Sequence, residues 1–332
     1  MNMTKLFFLF IMMLSTMITI SSMNWLGMWV GLEINLMTYI PFISKSKNKA
    51  SSKAMMIYFL TQSIGSILML FSILMNFMLY MSPLYIENLI TMMVMVSVLI
   101  KLGAAPFHLW LPEMMSNLNW TECMILMTWQ KLAPLTILNN LISNNLFTYL
   151  VIILSATFGA VGGLNQASLR KILGYSSINH VSWMMMFMSM SLMWYKYLLI
   201  YWILVVMICL FFNSKNSFFI NQINSMSYSL MEKYMYLMLM LSLGGLPPFL
   251  GFLPKWMVIQ SMIQSNLYLL MLLLLLMSLI TLFYYMRLMS PLILNYSMIN
   301  KWNNYDSPNK WFLYMIFFIN MSLPLFSVLS IF

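Results

Sequence analysis

KLGAAPFHLWLP, residues 101–112, decides how this chain is read. It holds Lys101, Gly103, Pro106 and His108, with apolar sequence on either side. Soluble cores rarely bury a lysine that lacks a partner. An unbroken membrane helix has no use for a glycine and a proline this close together. A helix interrupted inside a membrane accommodates all of them, because the gap frees backbone groups that water or a lysine can satisfy.

Composition points the same way. The 332 residues are 62% hydrophobic and 7% charged, with a mean hydropathy of +0.88. Soluble domains carry about 25% charged residues. Apolar runs of about 18 residues or more recur along the chain, each long enough to cross a hydrocarbon core about 30 Å thick. This predicts an all-α polytopic membrane protein. The formal charge of +10 is then explained by basic loops kept on one side of a membrane, not by nucleic acid. Cys123 and Cys209 are isolated and form no CxxC, zinc or iron–sulfur pattern. Many of the 42 methionines stand where Leu or Ile would pack as well. A variant genetic code in a biased organelle genome accounts for them. The apolar run after Lys5 leads at once into a second span and has no small-residue cleavage site, so it reads as a span and not a signal peptide.

Apolar runs and their punctuation predict eleven transmembrane spans, roughly 4–22, 24–43, 54–80, 88–118, 121–142, 146–165, 168–191, 195–219, 233–264, 267–290 and 310–331. Alternating sides from the N-terminus sends Lys5, Lys45, Lys47, Lys49, Lys53, Arg170, Lys171, Lys215, Lys233, Arg287, Lys301 and Lys310 to one side, here side A. Only Lys196 falls on side B. Gaining or losing one span would scramble this partition, and the positive-inside rule puts side A, with the N-terminus, inside.

LGAAPFHLWLP (102–112) and LGGLPPFLGFLP (243–254) align with one inserted residue. They fall in the fourth and ninth spans. Because five is odd, a five-helix unit followed by its copy inverts the copy in the membrane, and paired Gly/Pro-broken helices mark the working centre of such inverted repeats. The predicted organisation is a first repeat over 1–145 with its broken helix at about 88–118, and a second, inverted repeat over 146–290 with its broken helix at about 233–264. A polar loop and a C-terminal helix follow over 291–332.

Glu33, Lys101, Lys131 and Lys255 lie within spans, where a charge costs about 2.5–3.5 kcal/mol on insertion scales. At a rise of about 1.5 Å per residue, Glu33, Lys131 and Lys255 sit roughly 14–15 Å into their spans and Lys101 and His180 near ~20 Å. These groups line a plane near mid-membrane, which suits lateral proton relay. Glu33 is the partner expected for Lys101. At roughly 7 Å and an effective dielectric of about 20 their attraction is about 2.4 kcal/mol, enough to act as a switch. Other readings stay open at this stage. Lys101 and Lys255 also suit a duty of bonding the carbonyls freed at the breaks, and His180 that of a hydrogen-bonded interior histidine. Lys131, in TWQKLAP, has no break beside it. His108 is expected to order the loop after the break, and Glu113 and Glu122 to be solvated near a span boundary. GAVGGL at 159–164 is a small-residue packing run. No dinucleotide or phosphate-binding glycine loop occurs, so electron chemistry is expected in other chains.

WLGMWVGLEINLMTYIP (25–41), LIKLGAAPFHLWLPE (99–113), MTWQKLAP (127–134), GGLNQASLRKILGYSSINH (162–180) and SLGGLPPFLGFLPKW (242–256) together resemble the antiporter-like membrane subunits of respiratory complex I (NADH:ubiquinone oxidoreductase) in animal mitochondria. The likeness runs nearly end to end. It implies that Glu33 is the mid-membrane glutamate, Lys101 its partner on the first broken helix, Lys131 the connecting lysine and Lys255 the lysine of the second broken helix, with His180 a less certain relay member. It implies no cofactor in this chain, with FMN, iron–sulfur clusters and ubiquinone in partner subunits. The implied partners are membrane-arm chains 1, 3, 4, 4L, 5 and 6, nuclear-encoded accessory subunits and inner-membrane phospholipids. The implied location is the mitochondrial inner membrane with the N-terminus in the matrix. Two other functions compete: a structural spacer whose lysines stabilise broken helices, and a free-standing cation/proton antiporter.

Overall fold

The computed structural model describes residues 3–44, 49–75, 83–142, 145–190, 193–225, 229–294 and 310–324. Lys45, Lys47 and Lys301, the polar loop before Lys310 and the end of the last predicted span lie outside them. Among the described residues there is no strand, only one isolated bridge between Ser168 and Phe219. An apolar chain in lipid must satisfy its backbone within each segment, and the helix does so.

The chain divides into two compact units, Met1–Val151 and Ile152–Phe332. The first contains α1 (Met3–Ser21), α2 (Trp25–Ile43), α3 (Lys49–Met75), α4 (Pro83–Leu102), α5 (Trp110–Asn117), α6 (Trp120–Met127) and α7 (Trp129–Leu141). Helix α8 (Leu146–Gly163) carries the chain across the division. The second contains α9 (Leu169–Ser189), α10 (Trp194–Lys215), α11 (Ile220–Ser225), α12 (Leu230–Gly244), α13 (Phe252–Gln264), α14 (Tyr268–Leu294) and α15 (Lys310–Asn320). Six of these, α1, α2, α3, α8, α10 and α14, are each long and apolar enough to cross a membrane alone. The chain is a multi-pass membrane protein.

Helix α9 is long enough but too polar for lipid, and it is enclosed by protein along nearly its whole length. Its buried serines return their hydroxyls to their own helix: Ser176 to Leu173 O (2.8 Å), Ser177 to Gly174 O (2.7 Å) and Ser182 to Asn179 O (2.6 Å). Each hydroxyl is thereby satisfied without water.

Both Gly/Pro segments interrupt a helix, and both do so by the same backbone device. Helix α4 ends with Gly103 at φ 70°, and α12 with Gly245 at φ 76°. Ala104 N–H then bonds Leu99 O (3.1 Å) and Gly103 N–H bonds Ile100 O (3.2 Å). At the second break Leu246 N–H bonds Leu241 O (3.3 Å) and Gly245 N–H bonds Ser242 O (3.0 Å). These are Schellman-type endings, which need a left-handed residue and so favour glycine. The inserted residue in the second motif is therefore absorbed before the turn: Gly245, not Gly244, does the work of Gly103.

The fifth predicted span differs from expectation. It is split at Thr128 (φ −106°, ψ −79°) into α6 and α7, so Lys131 does stand beside an interruption. The reason is local. Thr128 Oγ1 donates to Met124 O (2.7 Å), a back-bond that bends helices. Pro134 has no N–H to return to Gln130, and its ring crowds that carbonyl.

Glu122 also corrects its sequence reading. It is 1% exposed, not solvated. Its Oε2 accepts from Asn119 N–H (3.1 Å), closing a capping box at the start of α6, while Lys5 Nζ meets Oε1 at 3.0 Å. Glu113 remains exposed. The second unit repeats the arrangement: Glu232 closes a capping box with Ser229 and pairs with Lys215 at 2.6 Å. Arg287 at the far end of α14 bonds the carbonyls of Leu164 and Gln166.

Two outcomes are expected. Glu122→Gln should lower stability by about 1–3 kcal/mol, the worth of a charged buried hydrogen bond. Lys5→Met should cost at least as much, because it strands a buried carboxylate. Unchanged melting of the solubilised protein in both variants would show the pair to be idle. Gly245→Ala should cost about 1–2 kcal/mol through its left-handed backbone and also displace Lys255, since the new Cβ would stand 2.8 Å from Cδ and 2.9 Å from Nζ. Gly103→Ala meets Leu111 Cδ1 at 2.9 Å, so its defect should be in stability. Equal activity loss per molecule in the two variants would contradict this distinction.

Candidate functional site

In the first unit, the last turn of α4 carries Lys101 and the first turn of α7 carries Lys131. They are 6% and 3% exposed. Both line one cavity of about 20 Å³, together with Asn35, Tyr58, Gln62 and Gln130 on its polar side and Leu32, Leu102, Trp110, Leu111, Leu126 and Pro134 on its apolar side. A space above roughly 10–15 Å³ on this measure holds one water.

The polar wall is tied together before any water enters. Tyr58 Oη donates to Gln130 Oε1 (3.1 Å), and Gln130 Nε2 donates to Asn35 Oδ1 (3.0 Å) and meets Met12 Sδ at 3.1 Å. Gln62 Nε2 donates to the Lys101 carbonyl (3.2 Å), and Trp110 Nε1 to the Ile100 carbonyl (3.1 Å). Neutral donors from α3 and α5 thus meet two of the carbonyls near the break that Gly103 opens.

Glu33, on α2, is half-buried, and its Oε1 has no hydrogen-bond partner among the described residues. Its charge acts on both Lys101 and Tyr58. No direct ion pair joins it to Lys101; the pairs among the described residues are Lys5–Glu122 and Lys215–Glu232. The expected partner is in electrostatic range but not in contact. His108 orders its loop through Nδ1 and Pro106 O (3.2 Å).

In the second unit, Lys255 stands at the start of α13, 5% exposed. Its Nζ donates to Gly244 O at 2.8 Å, the last carbonyl of α12. The same ammonium lies 6.0 Å from the Trp183 ring centre, at the outer limit of cation–π contact. Trp183 is three residues beyond His180 on α9, hence on the same face. His180 is buried, with Nδ1 2.9 Å from Tyr197 Oη and its ring 4.8 Å from that of Tyr201. Lys255 thus approaches the face of α9 that carries His180.

Chemically, Lys101 and Lys131 share a polar space of one water between them. Among the described residues no group of three or more His, Cys, Asp or Glu could hold a metal ion, and both cysteines are free and buried. Asn35, Tyr58, Gln62 and Gln130 were passed over in the sequence, although the membrane penalty on buried polar groups that singled out the lysines applies to them too.

Residues 22–281 match the family model described as NADH:quinone oxidoreductase/Mrp antiporter, transmembrane. The NADH-ubiquinone oxidoreductase chain 2 of Locusta migratoria is 45% identical over 331 residues, covering 99% of this chain and 94% of that one. That of Anopheles gambiae is 44% identical, with 90% of each chain covered, and that of Mus musculus is 36% identical, with 95% of each covered. In fold, the chain is similar to one in the structure of respiratory complex I from Thermus thermophilus with bound aureothin. That match has a TM-score of 0.79 at 18% identity and covers 99% of this chain and 79% of the other. A chain of the Mrp complex from a Dietzia species gives a TM-score of 0.76 at 14% identity, covering 86% and 59%. The chain belongs to the NADH-ubiquinone oxidoreductase chain 2 family, within the NADH:quinone oxidoreductase/Mrp antiporter membrane proteins.

Proposed function

We propose that this chain is a proton-translocating membrane-arm subunit of NADH:ubiquinone oxidoreductase. Glu33, Lys101, Lys131, His180 and Lys255 are its relay groups. Quinone reduction in other subunits drives the relay, and this chain contributes no redox centre. The observation that carries the reading is the water-sized cavity shared by Lys101 and Lys131. A proton leaving Lys101 can enter that water and be taken up by Lys131. Glu33 makes no direct ion pair with Lys101, so any movement of Glu33 relative to α4 changes the field at that lysine.

Eleven spans remain the topology we read, with α4 and α5, α6 and α7, and α12 and α13 each forming one interrupted span and α11 lying in a loop. The cross-links support it within each unit. Lys5 meets Glu122 in the first, and Lys215 meets Glu232 and Arg287 meets Gln166 in the second. Each joins ends that the eleven-span order assigns to side A. Two inverted five-helix repeats, a matrix-facing N-terminus and the mitochondrial inner membrane complete the proposal. The partners are chains 1, 3, 4, 4L, 5 and 6 with accessory subunits and phospholipid. FMN, iron–sulfur clusters and ubiquinone belong to partner subunits.

A structural reading is favoured at one place. The bond from Lys255 to Gly244 O gives that lysine a fixed duty at the second break. Lys131→Met and Lys255→Met should therefore differ. In assembled, reconstituted complex, Lys131→Met should reduce protons moved per electron with assembly intact. Lys255→Met should in addition reduce the amount of complex assembled. Full proton yield in an assembled Lys131→Met complex would refute the relay. A native gel gives the simpler check: the chain should co-migrate with NADH:ubiquinone reductase activity, and a small species without that activity would return the case to a free antiporter.

A further inference from the structure

The second unit holds buried polar groups that the relay above leaves unused. Ser176, Ser177 and His180 share one face of α9, since His180 follows the two serines by four and three residues. Tyr197 and Tyr201, one turn apart on α10, cover that face. Tyr197 Oη stands 2.9 Å from His180 Nδ1, the Tyr201 ring centre lies 4.8 Å from that of the imidazole, and Tyr201 also pairs with Ser177. Tyr284 and Tyr285, on α14, have ring centres 4.7 Å apart and share Ser176 as a polar neighbour. Tyr285 is in electrostatic range of both Tyr197 and Tyr201. All four phenols are at most 2% exposed. A buried phenol normally finds a partner, yet neither Tyr284 Oη nor Tyr285 Oη completes a hydrogen bond of good geometry. The outer end of this group is set by Gly163, the last residue of α8. A Cβ there would stand 3.3 Å from Tyr284 Cζ, the carbon that carries the hydroxyl. Glycine thus lets the phenol reach the α8–α9 turn, where Asn165 and Ala167 are exposed and Arg287 holds the carbonyls of Leu164 and Gln166.

We propose that Tyr284, Tyr285, Tyr201 and Tyr197 form a proton path between the α8–α9 turn, on side A, and His180. The inference rests on the relay reading above and adds to it a route by which His180 exchanges protons with one side of the membrane. Ser176 and Ser177 donate their own protons to Leu173 O and Gly174 O, so each offers only lone pairs to the tyrosines beside it. Along the path each phenol takes a proton on its oxygen as it passes its own proton on, so no phenolate is left behind. Where neighbouring phenols do not touch, a bridging water carries the step. The last transfer runs from Tyr197 Oη to His180 Nδ1, and the imidazole then releases its other proton from Nε2. Depth agrees with this order. Ser176 lies four residues nearer the side A end of α9 than His180 does, about 6 Å along the helix.

The test removes hydroxyls and keeps rings. Protons moved per electron are measured in assembled, reconstituted complex carrying Tyr284→Phe with Tyr285→Phe, or Tyr201→Phe alone. The reference is His180→Gln, which keeps a hydrogen-bond partner for Tyr197 and cannot titrate. The control is Tyr236→Phe, an equally buried phenol on α12 and outside the path. The double variant and Tyr201→Phe should each lose as much yield as His180→Gln, and Tyr236→Phe should lose none. Full yield in the tyrosine variants beside a loss in His180→Gln overturns the path and leaves the relay standing. Full yield in His180→Gln, or an equal loss in Tyr236→Phe, overturns the path as well. Failure of the relay as a whole reads differently, as full yield in Lys131→Met. Tyr201→Phe carries the test where the double variant does not assemble.

Discussion

Every backbone carbonyl released inside a membrane has to find a donor, and the working parts of this protein follow from that demand. Gly103 and Gly245 end their helices by the same left-handed turn, and carbonyls near each turn meet a side-chain donor, those of Ile100 and Lys101 at the first and that of Gly244 at the second. What differs is the donor that arrives. In one unit it is a glutamine and a tryptophan; in the other it is a lysine. Lys255 is held at its break by that bond, whereas Lys101 lines a small cavity together with Lys131.

Polar groups in the rest of the interior obey the same demand. The serines of α9 close onto their own helix, which lets a helix too polar for lipid sit at the centre of its unit. Glu122 and Glu232 are tolerated inside because each is doubly committed, once to its capping box and once to a lysine from another helix end. Glu33 is the contrast. Its Oε1 meets no donor among the described residues, which leaves its charge acting at a distance on Lys101 and Tyr58.

Much of this was legible in the residues. The apolar runs, the two Gly/Pro segments and the cost of a mid-span charge single out Lys101, Lys131 and Lys255 from sequence alone. The capping signatures NWTE at 119–122 and SLME at 229–232 were equally open to reading, yet proximity to a span boundary suggested solvation for Glu122. The kink before Lys131 was also encoded, in Thr128 and Pro134, but each is common in unbroken membrane helices. Gln62, Asn35 and Gln130 escaped notice because an uncharged amide costs less than a charge and stands out less in an apolar run.

By itself the sequence determined that the chain is helical, membrane-embedded and interrupted at its two Gly/Pro segments, because those properties depend on composition and on the backbone preferences of single residues. It also determined which ionisable groups must be housed inside. Only the tertiary structure decided which donor reaches which freed carbonyl, and so which lysine is anchored and which faces Lys131 across a cavity of about 20 Å³. Those outcomes turn on distances of a few tenths of an ångström between residues far apart in the chain, such as Gln62 and Lys101. Local preference carries no information about such distances, because they are set by how whole helices pack.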